Sequence, residues 1–310
     1  MELKYSIPKY VAMTRMSSKI RVLVEGKDDR GHISNLLQHI YPRIKLRVDS
    51  AIEITGDCHV TKNNNRAKIE KIHGQCKSSL YHQRLFFLCD REFRNFEIGA
   101  TVIDKLDDHE SDGNLSWTLG HSIENYFLSP VMLGDGFRFL SASGFKTQAI
   151  TFFCQILGDA LRKISALTLA AKELGRATYP ASQITWQNIV FTDNTIEITK
   201  TEKQIPFQQH FWNTYESFLG TVALTDENIC TKLCRGHTAM IVLQRVFAAC
   251  LYKVSAHIDE NIARYDANLF SNVGEINISS ALSEAWIRQV KEGKAHYPLP
   301  LVNSISAISA

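Results

Sequence analysis

The sequence predicts an α/β fold, a mainly parallel sheet flanked by helices, followed by a mostly helical C-terminal part. Three observations carry this. Residues 20–26 (IRVLVEG) and 84–90 (RLFFLCD) are short, nearly continuous apolar runs that reach an acid, Glu25 and Asp90. Such runs fit strands covered on both faces. Between them, residues 28–40 place Ile33, Leu36, Leu37 and Ile40 at i, i+3, i+4 and i+7, which makes one apolar helical face. Residues 45–54 (KLRVDSAIEI) alternate, with Leu46, Val48, Ile52 and Ile54 on one side, as a further strand does.

In chain order these give strand, helix, strand, a short basic helix over 65–73, and strand. That order implies right-handed crossovers and parallel pairing. It sends ligand chemistry to the carboxyl ends of the strands, where Glu25 and Asp90 fall. Trp117–Leu119 is a candidate fourth strand, and Ser122 can cap a helix after it. We expect one domain over 18–130 and a mostly helical region over 131–310. In the latter, 147–175, 206–220 and 238–258 look helical, and 188–200 is expected to form a hairpin around Thr192-Asp193-Asn194.

With 310 residues, 45% of them apolar, the chain has ample material for a core. A net charge of +3 does not identify a nucleic-acid binder. Between Lys62 and Arg84, however, Lys62, Arg66, Lys68, Lys71, Lys77 and Arg84 face a single acid, Glu70. Such a cluster can hold phosphates, although a solvated helix face is the simpler reading. Seven cysteines, with no secretory-type apolar run ahead of them, fit a reduced cytoplasmic protein. Cys230 and Cys234 have no second pair at metal spacing, which disfavours structural zinc. Met240–Val254 is apolar but interrupted by Arg245 and Lys253, so we expect a buried helix and no membrane span.

The constellation with chemical content is Glu25, Asp90, Glu92 and Glu124. Carboxylates converging at one sheet edge repel one another, and Mg²⁺ or Mn²⁺ is what such oxygen-rich clusters bind. Glu92 lies two residues past Asp90, which in an extended segment puts both side chains on one side. Any one strand-end acid is more often a solvated loop residue. Lys27 can contact a phosphate or stand as an exposed turn lysine. Arg235 and His237 flank Gly236 ahead of a helix and can present donors to a phosphate. A capping or surface role for His237 stands beside that reading. His121 is a candidate supporting residue. Trp186, His210, Phe211, Trp212 and Trp286 can stack on RNA bases, although most large aromatics are core.

Residues 22–29, VLVEGKDD, resemble the first TOPRIM motif: an apolar strand, Glu, Gly, and an Asp four residues after the Glu, here Asp29. Residues 85–92, LFFLCDRE, resemble the second motif, a strand ending in Asp-x-Asp, with Glu92 in place of the second Asp. HSIENYFL at 121–128 resembles the Ile-Glu-Asn-Tyr signature of the subgroup related to the overcoming-lysogenization-defect nucleases. CRGHTAM at 234–240 resembles that subgroup's later Gly-Lys or Gly-His motif. The matches span roughly 20–130 plus the later motif. The resemblance implies Glu25 as general acid/base or metal ligand, Asp90 and Glu92 as metal ligands, Glu124 completing the site, and Mg²⁺ (or Mn²⁺) as cofactor. It gives Asp29 the task of orienting Lys27 or the turn.

Among TOPRIM proteins the chain is most similar to the nuclease effectors of the PARIS anti-phage systems. That resemblance implies a cytoplasmic endoribonuclease that cuts host transfer RNA, lysine transfer RNA above all. It further implies an ABC-type ATPase partner that holds the effector inactive, a phage trigger protein acting through that ATPase, and a homodimer when active. The ATPase has to be another chain, because the sequence contains no G-x-x-x-x-G-K-[ST] loop. Two other readings stay open: a DNA endonuclease of the same fold, and a regulatory or binding subunit that no longer cuts, for which Glu92 leaves room.

Overall fold

The computed structural model describes residues 5–176, 183–199 and 206–309. In chain order it contains β1 (Tyr5–Ser6), α1 (Ile7–Arg15), β2 (Ile20–Val24), α2 (Lys27–Ile40), β3 (Leu46–Ser50), β4 (Ile54–Thr55), α3 (His59–Lys62), α4 (Asn65–Cys76) and β5 (Leu85–Cys89). Then follow β6 (Phe96–Ile98), β7 (Val102–Asp104), β8 (Ser111–Asp112), β9 (Leu115–Trp117), α5 (Pro130–Leu140) and α6 (Lys146–Glu173). The remainder is β10 (Ile189–Thr192), β11 (Thr195–Ile198), α7 (Pro206–Leu224), α8 (Glu227–Leu233), α9 (Gly236–Ser255), α10 (Glu260–Ser271), α11 (Glu275–Lys291) and α12 (Leu299–Ser309). The class is mixed α/β, as expected.

The chain divides into two compact units. The first comprises residues 1–91, 106–123 and 294–310, and the second 92–105 and 124–293. The borders differ from the single cut expected after residue 130. The last helix belongs with the first unit, where Tyr41 donates from its hydroxyl to the Val302 carbonyl at 2.7 Å and meets Ser306 Oγ at 2.6 Å. Nothing in local periodicity reports that a C-terminal helix returns to an N-terminal sheet.

The first unit is built on a five-stranded sheet in the order β3-β2-β5-β9-β8, parallel except for the β8–β9 pair. All five residues of β2 and of β5 are buried, which is why, Arg21 excepted, their sequences are apolar without alternation. One face carries Leu23, Leu85, Phe87, Leu115 and Trp117 into a core closed by Ile7 and Tyr10 of α1 and Ile69 and Ile72 of α4. By strand alternation Val22, Val24, Phe86 and Leu88 face the other way, the side covered by helices such as α2, whose Ile33, Leu36 and Leu37 are fully buried. At the edge, Asp49 accepts from Arg21 (2.6 Å), Arg47 (2.7 Å) and the Tyr10 hydroxyl (3.0 Å). This satisfies a carboxylate that burial would otherwise penalise.

Three expectations need correction here. The second strand does not run to residue 54. It stops at Ser50, whose hydroxyl accepts the Ile52 N–H at 3.3 Å and starts a 3-10 turn over Ala51–Glu53. Ile54 then pairs with Tyr5 in a separate two-stranded ladder. The fourth strand is Leu115–Trp117, two residues earlier than expected, and Ile123–Phe127 is a 3-10 turn.

The second unit is mostly helical and contains two short hairpins, β6–β7 and β10–β11. The β10–β11 hairpin forms where expected, with Asp193 at φ +52° in its turn; Lys200 lies outside the described residues. An edge-to-face aromatic cluster of Phe137, Phe153, Phe247 and Phe270 forms its core, with centroids as close as 4.7 Å. Gly136 lets α5 approach α11, since a Cβ there would come within 2.7 Å of Leu282 Cδ2. Among the described residues only α9 is long and apolar enough to cross a membrane, and 72% of that stretch is buried inside the fold.

Candidate active site

The first unit brings together the two acids that end its central strands. Glu25 follows β2 directly and Asp90 follows β5, its parallel neighbour, with Leu23 level with Phe87 in the ladder. The Asp90 backbone N–H donates to Glu25 Oε1 at 3.0 Å. On the other side of β2, Ser50 Oγ, at the end of β3, donates to the Glu25 carbonyl at 3.3 Å. Cys89, the last residue of β5 and the one before Asp90, feels the charge of both acids. Burial pushes its thiol well up, the charges of Glu25, Glu70 and Asp90 push it further, and Arg66 opposes them. The thiol is therefore held protonated and is no nucleophile.

The turn after Glu25 is shaped by Asp29. Its Oδ2 accepts the Gly26 N–H at 2.6 Å, at the N-terminus of α2. Gly26 has φ −106°, which any residue can adopt. What favours glycine is proximity, since a Cβ would sit 3.0 Å from Asp29 Oδ2. Lys27, the first residue of α2, is exposed.

After Asp90 the chain is clamped to the loop beyond β9. Arg91 is fully buried, its N–H donates to Thr118 Oγ1 at 2.9 Å, and its Nη1 donates to the Leu119 carbonyl at 2.9 Å. Glu92 then adopts φ +51° and is exposed. The expected extended Asp90-Arg91-Glu92 segment, with both acids on one side, is not formed. The left-handed residue costs on the order of 1–3 kcal/mol and turns the chain out of the sheet.

Glu92 and Glu124 belong to the second unit. Glu124 is 9% exposed within the 3-10 turn Ile123–Phe127. Its neighbour Asn125 donates from Nδ2 to the carbonyls of Thr231 (2.7 Å) and Cys234 (2.8 Å), and Tyr126 stacks on Trp286 at 5.6 Å. The Ile-Glu-Asn-Tyr stretch is thereby tied to the chain just before Arg235-Gly236-His237, so two motifs far apart in sequence meet through one amide. His237 lies in the first turn of α9, and its Nδ1 is 2.6 Å from Glu275 Oε1 at the start of α11. Sequence reasoning missed Glu275, because an acid in the first turn of a helix is common for dipole reasons alone.

Several candidates are occupied elsewhere. In the basic stretch, Arg66 pairs with Glu70, Lys71 with Asp57 and Lys77 with Asp112, and buried Lys68 donates to the Ala51 carbonyl. Three of the six cations are thereby paired with acids. Trp286, Phe211 and Trp212 are core residues at 0%, 1% and 3% exposure. His121 and Ser122 are buried. Cys230 and Cys234 are buried thiols, Cys230 pushed up to about 11 and Cys234 higher still.

Among the described residues no group of three or more His, Cys, Asp or Glu side chains stands close enough to hold a metal. The first unit offers Glu25 and Asp90. That pair fits Mg²⁺ in donor type and number, because Mg²⁺ keeps several waters and is held by one or two carboxylates plus substrate phosphate oxygens. No protein-family model matches the sequence, and no curated protein matches it either.

Proposed function

We propose that the chain is a metal-dependent nuclease of the TOPRIM type. Within that type we place it with the AriB effectors of the PARIS systems: a cytoplasmic endoribonuclease that cuts transfer RNA, with lysine transfer RNA the favoured target. The observation that carries the catalytic reading is the contact between Glu25 and Asp90 at the carboxyl ends of two adjacent parallel strands. That is the position at which open α/β sheets do their chemistry. The motif order, Glu25-Gly26, Asp90-x-Glu92 and Ile123-Glu124-Asn125-Tyr126, supports the narrower assignment.

In this reading Glu25 and Asp90 hold Mg²⁺ or Mn²⁺, which when bound offsets charge on the scissile phosphate and lowers the pKa of water. Glu25 exchanges a proton with the attacking or leaving oxygen. Lys27 gives a cation at the first turn of α2 for a neighbouring phosphate. In the second unit, Glu124 serves as a further carboxylate and Arg235 as a phosphate contact. His237, held through Nδ1 by Glu275, keeps Nε2 toward the substrate, to accept a proton from the neutral ring or donate one from the imidazolium. The ATPase partner, of the AriA kind, and a phage trigger acting through it regulate release, and the freed chain works as a homodimer.

The test is incubation of the chain with total transfer RNA and, separately, plasmid DNA. Each is run in Mg²⁺, Mn²⁺ and EDTA, with wild type and Glu25→Ala, and with and without an activated ATPase partner. Metal-dependent transfer-RNA cutting that disappears in Glu25→Ala is expected. DNA cutting alone makes the chain a DNA endonuclease. No cutting of either substrate, with partner present, makes it a non-cleaving subunit.

A further inference from the structure

The second unit holds a cleft that the proposed chemistry does not use. Its volume is about 440 Å³, within the roughly 300–1,000 Å³ span of ligand sites. One wall is the β10 strand with Val190 and Phe191, and the other is made by Tyr252 and Lys253 of α9 and Arg264 of α10. Trp186 lies beneath, 6% exposed, fixed by its Nε1 donating to Asn268 Oδ1 at 2.8 Å and by packing on Tyr252 at 5.0 Å.

Its chemistry is aromatic and cationic together. The Arg264 guanidinium lies 5.9 Å from the centre of the Tyr252 ring. Glu260 accepts from both, from Arg264 Nη2 at 2.8 Å and from the Tyr252 hydroxyl at 3.2 Å, which fixes their geometry and offsets the Arg264 charge. Glu197 is level with Val190 across the hairpin. Lys253 is exposed and makes no ion pair among the described residues. Phe191 is held edge-on against Phe152 at 5.1 Å, which leaves it half-buried and not free to collapse into the cleft. An apolar ligand alone would gain nothing from Lys253 and Arg264, and a bare anion nothing from the rings. A flat base joined to a phosphate uses both.

We propose that this cleft binds an unpaired nucleotide of single-stranded RNA, the base against Phe191 and Tyr252 and the adjoining phosphate at Lys253. It names a recognition site for the substrate class proposed above and rests on that reading, but it makes its own demand: binding that does not depend on the acids at the sheet edge. Ordered rings are what give the site affinity at low entropic cost.

The experiment measures binding of fluorescein-labelled 12-nucleotide oligouridylate and oligoadenylate by anisotropy to the full chain in EDTA, so that cutting is absent whether or not Glu25 and Asp90 are catalytic. Wild type should bind, and duplex RNA of equal length should compete poorly. Tyr252→Leu and Phe191→Leu should weaken binding by roughly 5- to 150-fold, the loss expected for one stacked base. Tyr252→Phe, which keeps the ring and gives up only the bond to Glu260, should bind like wild type and shows that Tyr252→Leu did not act through misfolding. Lys253→Gln should lower the salt slope by about 0.7, the value for one phosphate of a single strand. The proposal is overturned if wild type binds neither oligonucleotide, if the leucine variants bind as wild type does, or if an acidic peptide or heparin competes as well as RNA. Cutting without these effects would leave the nuclease reading intact and remove this one.

Discussion

The Asp90 backbone N–H points at the Glu25 carboxylate, 3.0 Å from Oε1. One acid's side chain therefore orders the other acid's backbone, and the ends of β2 and β5 are tied at the point where chemistry is proposed. The bond also fixes what Glu25→Ala must do. Losing an acceptor for a part-buried N–H costs about 1–2 kcal/mol, partly offset by relief of repulsion with Asp90. Urea unfolding of Glu25→Ala should show a modest drop with an unchanged slope, and Glu25→Gln, which keeps an acceptor oxygen, a smaller one. Both should abolish cutting. A variant that unfolds outright would make Glu25 a structural residue.

Asn125 is expected to matter more for stability than the catalytic acids do. Its amide serves the Thr231 and Cys234 carbonyls. Asn125→Ala leaves them without that donor and should cost about 1–3 kcal/mol in thermal or urea unfolding. Asn125→Asp should be worse, because a carboxylate then faces carbonyl oxygens. If both variants match wild type, the amide is not what joins the two motifs.

At the start of α2, Asp29→Ala removes the acceptor for the Gly26 N–H. A loss of about 1 kcal/mol in unfolding free energy is expected, the usual value of a helix N-terminal cap. Asp29→Asn should recover most of it, which a metal-binding Asp29 would not allow for activity.

His237 and Glu275 are 45% and 44% exposed in their side chains. A contact this open contributes at most about 1 kcal/mol. His237→Ala should thus leave the midpoint of unfolding nearly unchanged while slowing cutting by on the order of 100-fold or more, as loss of a proton-transfer group does. Glu275→Gln, which keeps an acceptor oxygen for Nδ1, should slow cutting less than His237→Ala does. Equal activity in His237→Ala would confine the pair to the surface.

His73 supplies an acid-sensitive element. Burial lowers its pKa below the ordinary 6.5, and it lies edge-on to Phe87 at 5.4 Å. The folded pKa is the lower of the two, so below about 6.5 the unfolded chain binds the extra proton first. Stability present above that pH is lost as pH falls toward the folded value. Unfolding free energy should decline between about pH 7 and pH 5, and His73→Phe should flatten the decline. An equally steep decline in the variant would place the titrating group elsewhere.

Sequence alone determined the sheet's central strands and the acids at their ends. Strands covered on both faces are apolar wherever no buried partner such as Asp49 serves a charge, so β2 and β5 are visible as runs, and the first polar residue after each falls at the sheet edge where Glu25 and Asp90 meet. It also determined the β10–β11 hairpin, because its turn needs a residue that tolerates positive φ. Tertiary structure alone decided the rest. Glu92 leaves the strand in a left-handed turn because Arg91 is buried and clamped to Thr118 and Leu119, a contact between residues that no local pattern couples. Asn125 meets Thr231 and Cys234, His237 meets Glu275, and α12 returns to the first unit, all across long stretches of chain. Periodicity records which face of an element is buried. It does not record which distant element buries it, and side-chain pairing depends on that second fact.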